Sequence, residues 1–419
     1  MSSLSFTQQL RNDVFQAYED ARKNKRNTTA QLEFEKDAEQ NLIKLFHELL
    51  DGTYLPGKSI CFLSYSPVLR EVFASQFRDR VVHHLLFNYI APIFETQFIY
   101  DSYSCRKEKG TLFGIERLEH HIRSCTNNYT ENAFVLKLDI QGYFMSINKH
   151  ILYNIICNKL FAYWEKHGCD CSKPADNLEF ILWLVKVIIF KDHTLDCKII
   201  GDKKDWMLLP ASKSLFNQPK DIGLPIGDLT SQLFSNIYLN ELDQMIKRRF
   251  KVKHYGRYVD DFYIIHPSKA YLKSIIPEIR YFLIDQLGLV LHPKKIYLQP
   301  CKNGVPFLGA FVKPYRKYAV PRSVNGFRSK AKNIISLSKK DELSLDELEA
   351  IQTTLNSYLG YLGHFESYKI IHKSLTGSTI FKHMYFASGY KKTIPYKRYR
   401  DYKKQKTNKD IDLKRIFST

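Results

Sequence analysis

Apolar residues near the start of the chain recur at three- and four-residue spacing: Leu42, Leu45, Phe46, Leu49 and Leu50 form one stripe before Asp51-Gly52 interrupts it. That period predicts helices over residues 1–55, with the stripe as a packing face. Around Val68 to Ala74 the pattern becomes a short alternating strand, and a helix carrying Arg78, Arg80, His83 and His84 follows. Asp101 to Thr111 reads as a polar, basic loop leading into a helix that runs to about Ser124. Phe134 to Ile140 alternates as a strand, with Leu136, Leu138 and Ile140 on one face and Val135, Lys137 and Asp139 on the other. Another helix is expected from Leu178 to Phe190. In Gly223-Leu224-Pro225-Ile226-Gly227 the glycines and proline make a loop whose backbone can approach a ligand closely, and Thr230 or Ser231 is expected to open the next helix. Arg257 to His266 reads as strand, tight turn, strand, with Asp260 and Asp261 at the tip.

Those two carboxylates repel each other and sit beside apolar strands, so they need a cation or a solvated rim to stay ionised. Asp favours turns in any case, and the pair alone is weak evidence of chemistry. Asp139 changes the picture, because an acid ending a buried-looking strand can meet Asp260 and Asp261 if that strand pairs with the hairpin. Three carboxylates suit hard divalent ions, and such a cluster serves in-line phosphoryl transfer. Phe144, five residues after Asp139, could close against the sugar of a bound nucleotide. The arginines around Arg70 are either a solvated basic face or groups aimed at phosphates, for which the guanidinium fork is suited.

Composition narrows the partner. The chain has 419 residues, room for two or three subdomains, and carries 63 Lys and Arg against 43 Asp and Glu, a net charge of +20. Such a field favours a polyanion, foremost nucleic acid, and 27 Tyr with 28 Phe supply rings for stacking besides those in the core. No secretory signal is read at the start, and the longest apolar run, Ile181 to Phe190, is broken by Lys186 and short of the about 20 residues a bilayer requires. A soluble protein without membrane association is therefore expected. Eight scattered cysteines suit reduced thiols. Cys169-Asp170-Cys171 with His167 offers part of a zinc site, although no second pair stands at ligand spacing.

The order of these motifs, the Arg70 region, the Asp139 strand, the Leu224-Pro225-Ile226-Gly227 loop and the Tyr258-Val259-Asp260-Asp261 hairpin, resembles reverse transcriptases over roughly residues 60 to 375. Leu287 to Lys295 looks like the motif after the hairpin, and Val305-Pro306-Phe307-Leu308-Gly309 like the primer grip. Most members read Gln-Gly and Ser-Pro in the loop, whereas this chain has Ile226-Gly227 and Ser231-Gln232. That pattern, with Ser212 to Phe216 upstream and Ser357 to His364 downstream, looks like reverse transcriptases of diversity-generating retroelements.

The resemblance implies an α+β right-hand polymerase: an N-terminal helical extension (1–59), fingers (60–133 and 151–222), palm (134–150 and 223–319), thumb (320–385) and a basic tail (386–419). It implies RNA-directed DNA synthesis that copies a template-repeat RNA into cDNA with errors at adenines, for transfer to a variable target gene. Asp139, Asp260 and Asp261 would bind two Mg²⁺ ions, with Mn²⁺ as an alternative, assisted by the Ile140 carbonyl. Lys295 would protonate pyrophosphate, Arg70 would contact the triphosphate, and Phe144 would exclude the ribose 2′-hydroxyl. Ile226, Gly227 and Gln232 would border the incoming nucleotide, where Ile226 in place of an amide removes a polar restraint on discrimination. Implied partners are template RNA, the cDNA primer and product, dNTPs and an oligomeric basic accessory variability protein, and the implied location is cytoplasmic, for a bacterial or phage-encoded protein. A retron, group II intron-derived or defence-associated polymerase is the alternative, and a catalytically silent RNA-binding scaffold is the alternative of another class. Lys and Arg alternate with Tyr396, Tyr399 and Tyr402 in the tail, as expected of a segment that follows an RNA backbone.

Overall fold

The computed structural model describes residues 5–23, 28–65, 68–195, 197–387 and 389–396. The chain divides into two compact units, Met1–Gly114 with Phe134–Leu298, and Ile115–Ala133 with Gln299–Thr419.

The first unit opens with α1 (Phe6–Arg22), α2 (Thr29–Glu35) and α3 (Ala38–Leu50). A reciprocal capping box between Ser5 and Gln8 starts α1, and Leu10, Val14, Ala17 and Ala21 line its buried face against α4 (Phe77–Glu95). These helices share one core with the rest of the unit, a cluster running from Leu10 to Leu291. The N-terminal segment is thus packed into the unit rather than appended to it. A small sheet holds β1 (Ser59–Ser64) between β2 (Arg70–Ala74), antiparallel, and a later parallel strand. That later strand follows β3 (Phe134–Leu138) in the chain and is β4 (Cys197–Ile200).

The second sheet of this unit carries β5 (His254–Tyr258), β6 (Asp261–His266) and β3 side by side, all antiparallel. Phe262, Tyr263, Ile264 and Ile265 of β6 are all buried, so this strand is covered on both faces, which explains its unbroken apolar run. Around it lie α6 (Tyr143–Ser146), α7 (Lys149–His167), α8 (Leu178–Ile189), α9 (Leu229–Gln244) and α10 (Lys269–Leu287), while α5 (Thr111–Cys125) and β7 (Tyr297–Pro300) cross the division between the units. Helix α9 begins two or three residues earlier than the sequence suggested. Asp228 is its N-cap residue, and Thr230 and Ser231 lie buried within the first turn.

In the second unit β8 (Val305–Phe307), β9 (Ala310–Lys313) and β10 (Arg316–Ala319) form an antiparallel meander. Helices α11 (Pro321–Leu337), α12 (Leu345–Leu362) and α13 (Tyr368–Leu375) follow, then the hairpin β11 (Met384–Ala387) and β12 (Lys392–Pro395). Leu355, Leu359 and Leu362 enter a separate core with Phe327, Ala331 and Ile334, whereas His364 lies exposed beyond the end of α12. Ser344 and Glu347 cap α12 reciprocally. The meander clusters with these helices, although the sequence placed residues up to 319 with the acid-bearing sheet. Of the basic tail, the residues from Lys397 onward lie outside the described residues. Among the described residues no helix is long and apolar enough to cross a membrane. The α+β class expected from the sequence holds, with the acid hairpin in an antiparallel sheet backed by helices.

Candidate active site

Strands β5 and β6 pair with Tyr258 opposite Asp261, leaving Val259 and Asp260 as a two-residue turn. Val259 takes φ +54°, a left-handed conformation normally filled by Gly or Asn and costly for a β-branched residue. β3 pairs with β6 up to Leu138 opposite Phe262, so one step further the register leads to Asp139 and Asp261. The topology therefore brings Asp139 to two adjacent acids that lie more than a hundred residues further along the chain.

Their electrostatics follow from this crowding. Burial, and then the charge of Asp139, pushes the Asp260 carboxyl up to about 6. Asp261 is raised as well, chiefly by burial, and the Lys137 ammonium works against that rise. Lys137 Nζ lies 3.2 Å from Asp261 Oδ1, as expected of a residue on the same face of the neighbouring strand. Lys295 Nζ lies 3.0 Å from Asp139 Oδ2. The segment bearing Lys295 is pinned to the end of β3 by two backbone bonds, from His292 N to Asp139 O (2.8 Å) and from Gln141 N to Val290 O (2.9 Å). Ile140 is buried and bridges to Leu291.

The acids do not form a closed ligand shell: among the described residues no three His, Cys, Asp or Glu side chains gather tightly enough to hold a metal ion. Two ammonium groups balance the outer acids instead. The same holds for the zinc reading, since Cys169 and Cys171 have their sulfurs 3.3 Å apart without a third ligand group.

The loop before α9 forms a second wall. Ile226 O accepts from Phe73 N of β2 at 2.9 Å, and a Cβ on Gly227, at φ +145°, would collide with the Phe73 carbonyl. Glycine there lets the loop lie against the strand that begins with Arg70. Leu224 N donates to Phe144 O at 2.8 Å, and both Ile226 and Phe144 pack on a small cluster of Cys61, Phe73, Met145 and Leu215. Arg70 is exposed, and its charge reaches Tyr258, whose phenol burial raises and Arg70 pulls back. Gln232 is exposed on α9. The structure thus assembles Arg70, Phe144, Ile226 and Gly227 around β2 and α6, and Asp139, Asp260, Asp261 and Lys295 around the hairpin.

Three buried charged residues escaped the sequence reading, one alone and two as a pair. Glu71 of β2 accepts from Trp206 Nε1, Ser214 Oγ and Leu215 N at 2.7 to 2.8 Å, which fastens residues 206–215 to the strand. Beneath the acids, Arg257 and Asp243 form a fully buried bidentate pair. A charged residue inside an apolar strand or helix was the available signal for each.

Residues 190–312 match the family described as reverse transcriptase (RNA-dependent DNA polymerase). That span contains Ile226, Gly227, Gln232, Asp260, Asp261 and Lys295, while Arg70, Asp139, Ile140 and Phe144 precede it. The chain is 25% identical over 322 residues to Protein YkfC of Escherichia coli, covering 68% of this chain and 75% of that protein. It is 23% identical over 312 residues to the group II intron-encoded protein LtrA of Lactococcus lactis, covering 68% of this chain and 52% of that protein. Among solved structures, telomerase from Candida albicans aligns at TM-score 0.46 and 12% identity, over 82% of this chain and 65% of that one. The chain carries a reverse transcriptase domain, with homology to reverse transcriptases encoded by group II introns.

Proposed function

We propose that this chain is the RNA-directed DNA polymerase of a diversity-generating retroelement, with the first unit supplying fingers and palm and the second the thumb. The observation that carries the polymerase reading is the convergence of Asp139, Asp260 and Asp261 at the β3–β6 end, where burial and then the charge of Asp139 push the Asp260 carboxyl up to about 6. Three carboxylates, two of them raised chiefly by burial, are the oxygen chemistry that a hard divalent ion takes, although among the described residues they do not stand close enough together here to form a ligand shell. Asp139, Asp260 and Asp261, with the Ile140 carbonyl, would hold Mg²⁺ or Mn²⁺. Bound there, such ions would supply activation of the attacking primer oxygen and neutralise charge on the leaving phosphates.

The chain's own groups do the rest. Lys295, hydrogen-bonded to Asp139, stands where an ammonium can hand a proton to departing pyrophosphate. Arg70 meets the triphosphate from the exposed start of β2. Phe144, half-buried against Tyr143, sets a steric limit beside the sugar. Ile226 presents an aliphatic surface where an amide would otherwise hydrogen-bond the nucleotide, so geometry alone discriminates. Template RNA, cDNA and dNTPs are the substrates on this reading, and a basic, oligomeric accessory variability protein is the expected partner.

A second reading, a polymerase of group II intron type, draws on the relatives. Primer extension on RNA with Mg²⁺ and dNTPs tests the polymerase, and Asp260→Ala should abolish it; synthesis by that variant would sink the assignment. Sequencing the cDNA separates the two readings. Errors concentrated at template adenines support the retroelement, and evenly spread errors support the intron type.

A further inference from the structure

Arg257 immediately precedes the Tyr258-Val259-Asp260-Asp261 hairpin, and its side chain is fully buried. Its Nε and Nη2 donate to Asp243 Oδ1 and Oδ2 at 2.7 and 2.6 Å, the planar two-pronged pairing that a guanidinium makes and an ammonium cannot. The remaining arm, Nη1, reaches forward to the carbonyl of Val259 at 3.0 Å. Tyr255 OH adds a bond to the same Asp243 carboxylate, and the Arg257 backbone is clasped on both sides, N to Asp101 O and O from Tyr103 N, each at 2.9 Å. The anchor therefore joins α9, β5 and the 101–103 segment, with longer contacts from the guanidinium to Asn236 Oδ1 (3.4 Å) and Ser102 Oγ (3.3 Å), and its one bond into the turn is to a carbonyl. That carbonyl belongs to the residue held at φ +54° directly before Asp260. A valine does not keep this conformation unaided, and strained residues persist only where their surroundings over-determine them.

We infer that Arg257, locked by Asp243, is a positioning residue for Asp260: its bond to the Val259 carbonyl holds the strained turn that presents the carboxylate. The inference rests on the reading of Asp260 as a polymerase acid. Because the pair is buried, its loss could also lower stability generally, and the test must separate the two effects.

Arg257→Lys removes the fork while keeping the charge. It should lower kcat of primer extension by about tenfold or more, with the KM for dNTP within about twofold of the parent, as expected for loss of an interaction serving the transition state alone. Val259→Gly in that background is the discriminating variant. Glycine adopts positive φ without strain, so it should restore several-fold of the lost kcat, while the loss of the valine side chain lowers the melting temperature further. A general stability defect would move both quantities in the same direction. Unchanged kcat in folded Arg257→Lys, or no recovery with Val259→Gly, overturns the inference. If Arg257→Lys does not fold, Asp243→Asn, which keeps the shape and removes the charge, is measured in the same way with the same rescue. Asp260→Asn runs alongside: an active Asp260→Asn defeats the polymerase-acid reading itself, whereas an inactive one beside a normal Arg257→Lys defeats only the positioning role.

Discussion

Lys295 Nζ sits 3.0 Å from Asp139 Oδ2, and the two residues are 156 positions apart in the chain. Lys295 is mostly exposed and reaches the acid from a segment bonded to the backbone of Asp139 itself. The ammonium and a divalent ion would therefore compete for one carboxylate. Lys295→Met should lower the Mg²⁺ concentration giving half of the thermal-shift response by about two- to fivefold, the range that an exposed ion pair is worth. The same variant should extend primers more slowly. An unchanged Mg²⁺ midpoint would show that the lysine does not compete.

Asp260 makes apo stability depend on pH. Its carboxyl rises from 3.8 to about 6, first through burial and then through the charge of Asp139. A folded value above the unfolded one means that the native state binds the proton more tightly. The associated stability is full below pH 3.8 and is lost as pH rises through about 6. In EDTA at about pH 7.5, Asp260→Asn should be more stable than the parent by about 3 kcal/mol, and the difference should fade toward pH 4. Adding Mg²⁺ should raise the melting temperature of the parent and leave Asp260→Asn nearly unmoved. Urea melts at several pH values check the first expectation, and a Mg²⁺ titration by thermal shift checks the second.

Glu71 holds the 206–215 segment through three donors. Glu71→Gln keeps the shape but can no longer accept from all three, leaving at least one buried donor unpaired. The expected cost is about 1 to 3 kcal/mol, with proteolysis near residue 206 accelerated before global unfolding. Native-state proteolysis reads this directly, and equal cleavage in the variant and the parent would contradict it.

Ile226 is fixed against β2 by the bond from Phe73 N to its carbonyl, so its side chain can change without releasing the loop. Ile226→Gln should reduce misincorporation at template adenines by at least about threefold, because an amide restores a polar restraint on the nucleotide. Deep sequencing of cDNA made by both proteins decides the matter, and an unchanged error spectrum removes Ile226 from the account of fidelity.

His193 is buried beside Ser59 Oγ, and burial pushes its imidazole down to about 3, with Lys191, Lys149 and His83 adding to the fall and Asp228 opposing it. A folded value below the unfolded 6.5 gives stability that is present above pH 6.5 and lost as pH falls below it. His193→Gln should flatten the dependence of melting temperature on pH between about 7 and 5. A slope as steep as the parent's would assign the acid sensitivity to other groups.

The sequence by itself determined the local elements and the candidate site residues. Alternation in Phe134 to Ile140 gave a strand, three- and four-residue spacing gave the helices, and two adjacent aspartates in a hairpin pointed to a candidate site. These are legible because periodicity records which face of an element is buried, a property of neighbouring residues. The tertiary structure decided which charges meet. Antiparallel pairing of β3 with β6 set Lys137 on Asp261, backbone bonds at Asp139 brought Lys295 to it, and the packing of α9 beneath β5 gave Arg257 its carboxylate. Long-range register also drew the N-terminal helices into the main core and the 305–319 strands into the other unit. A buried charge must find its partner through space, and nothing in the spacing along the chain names that partner.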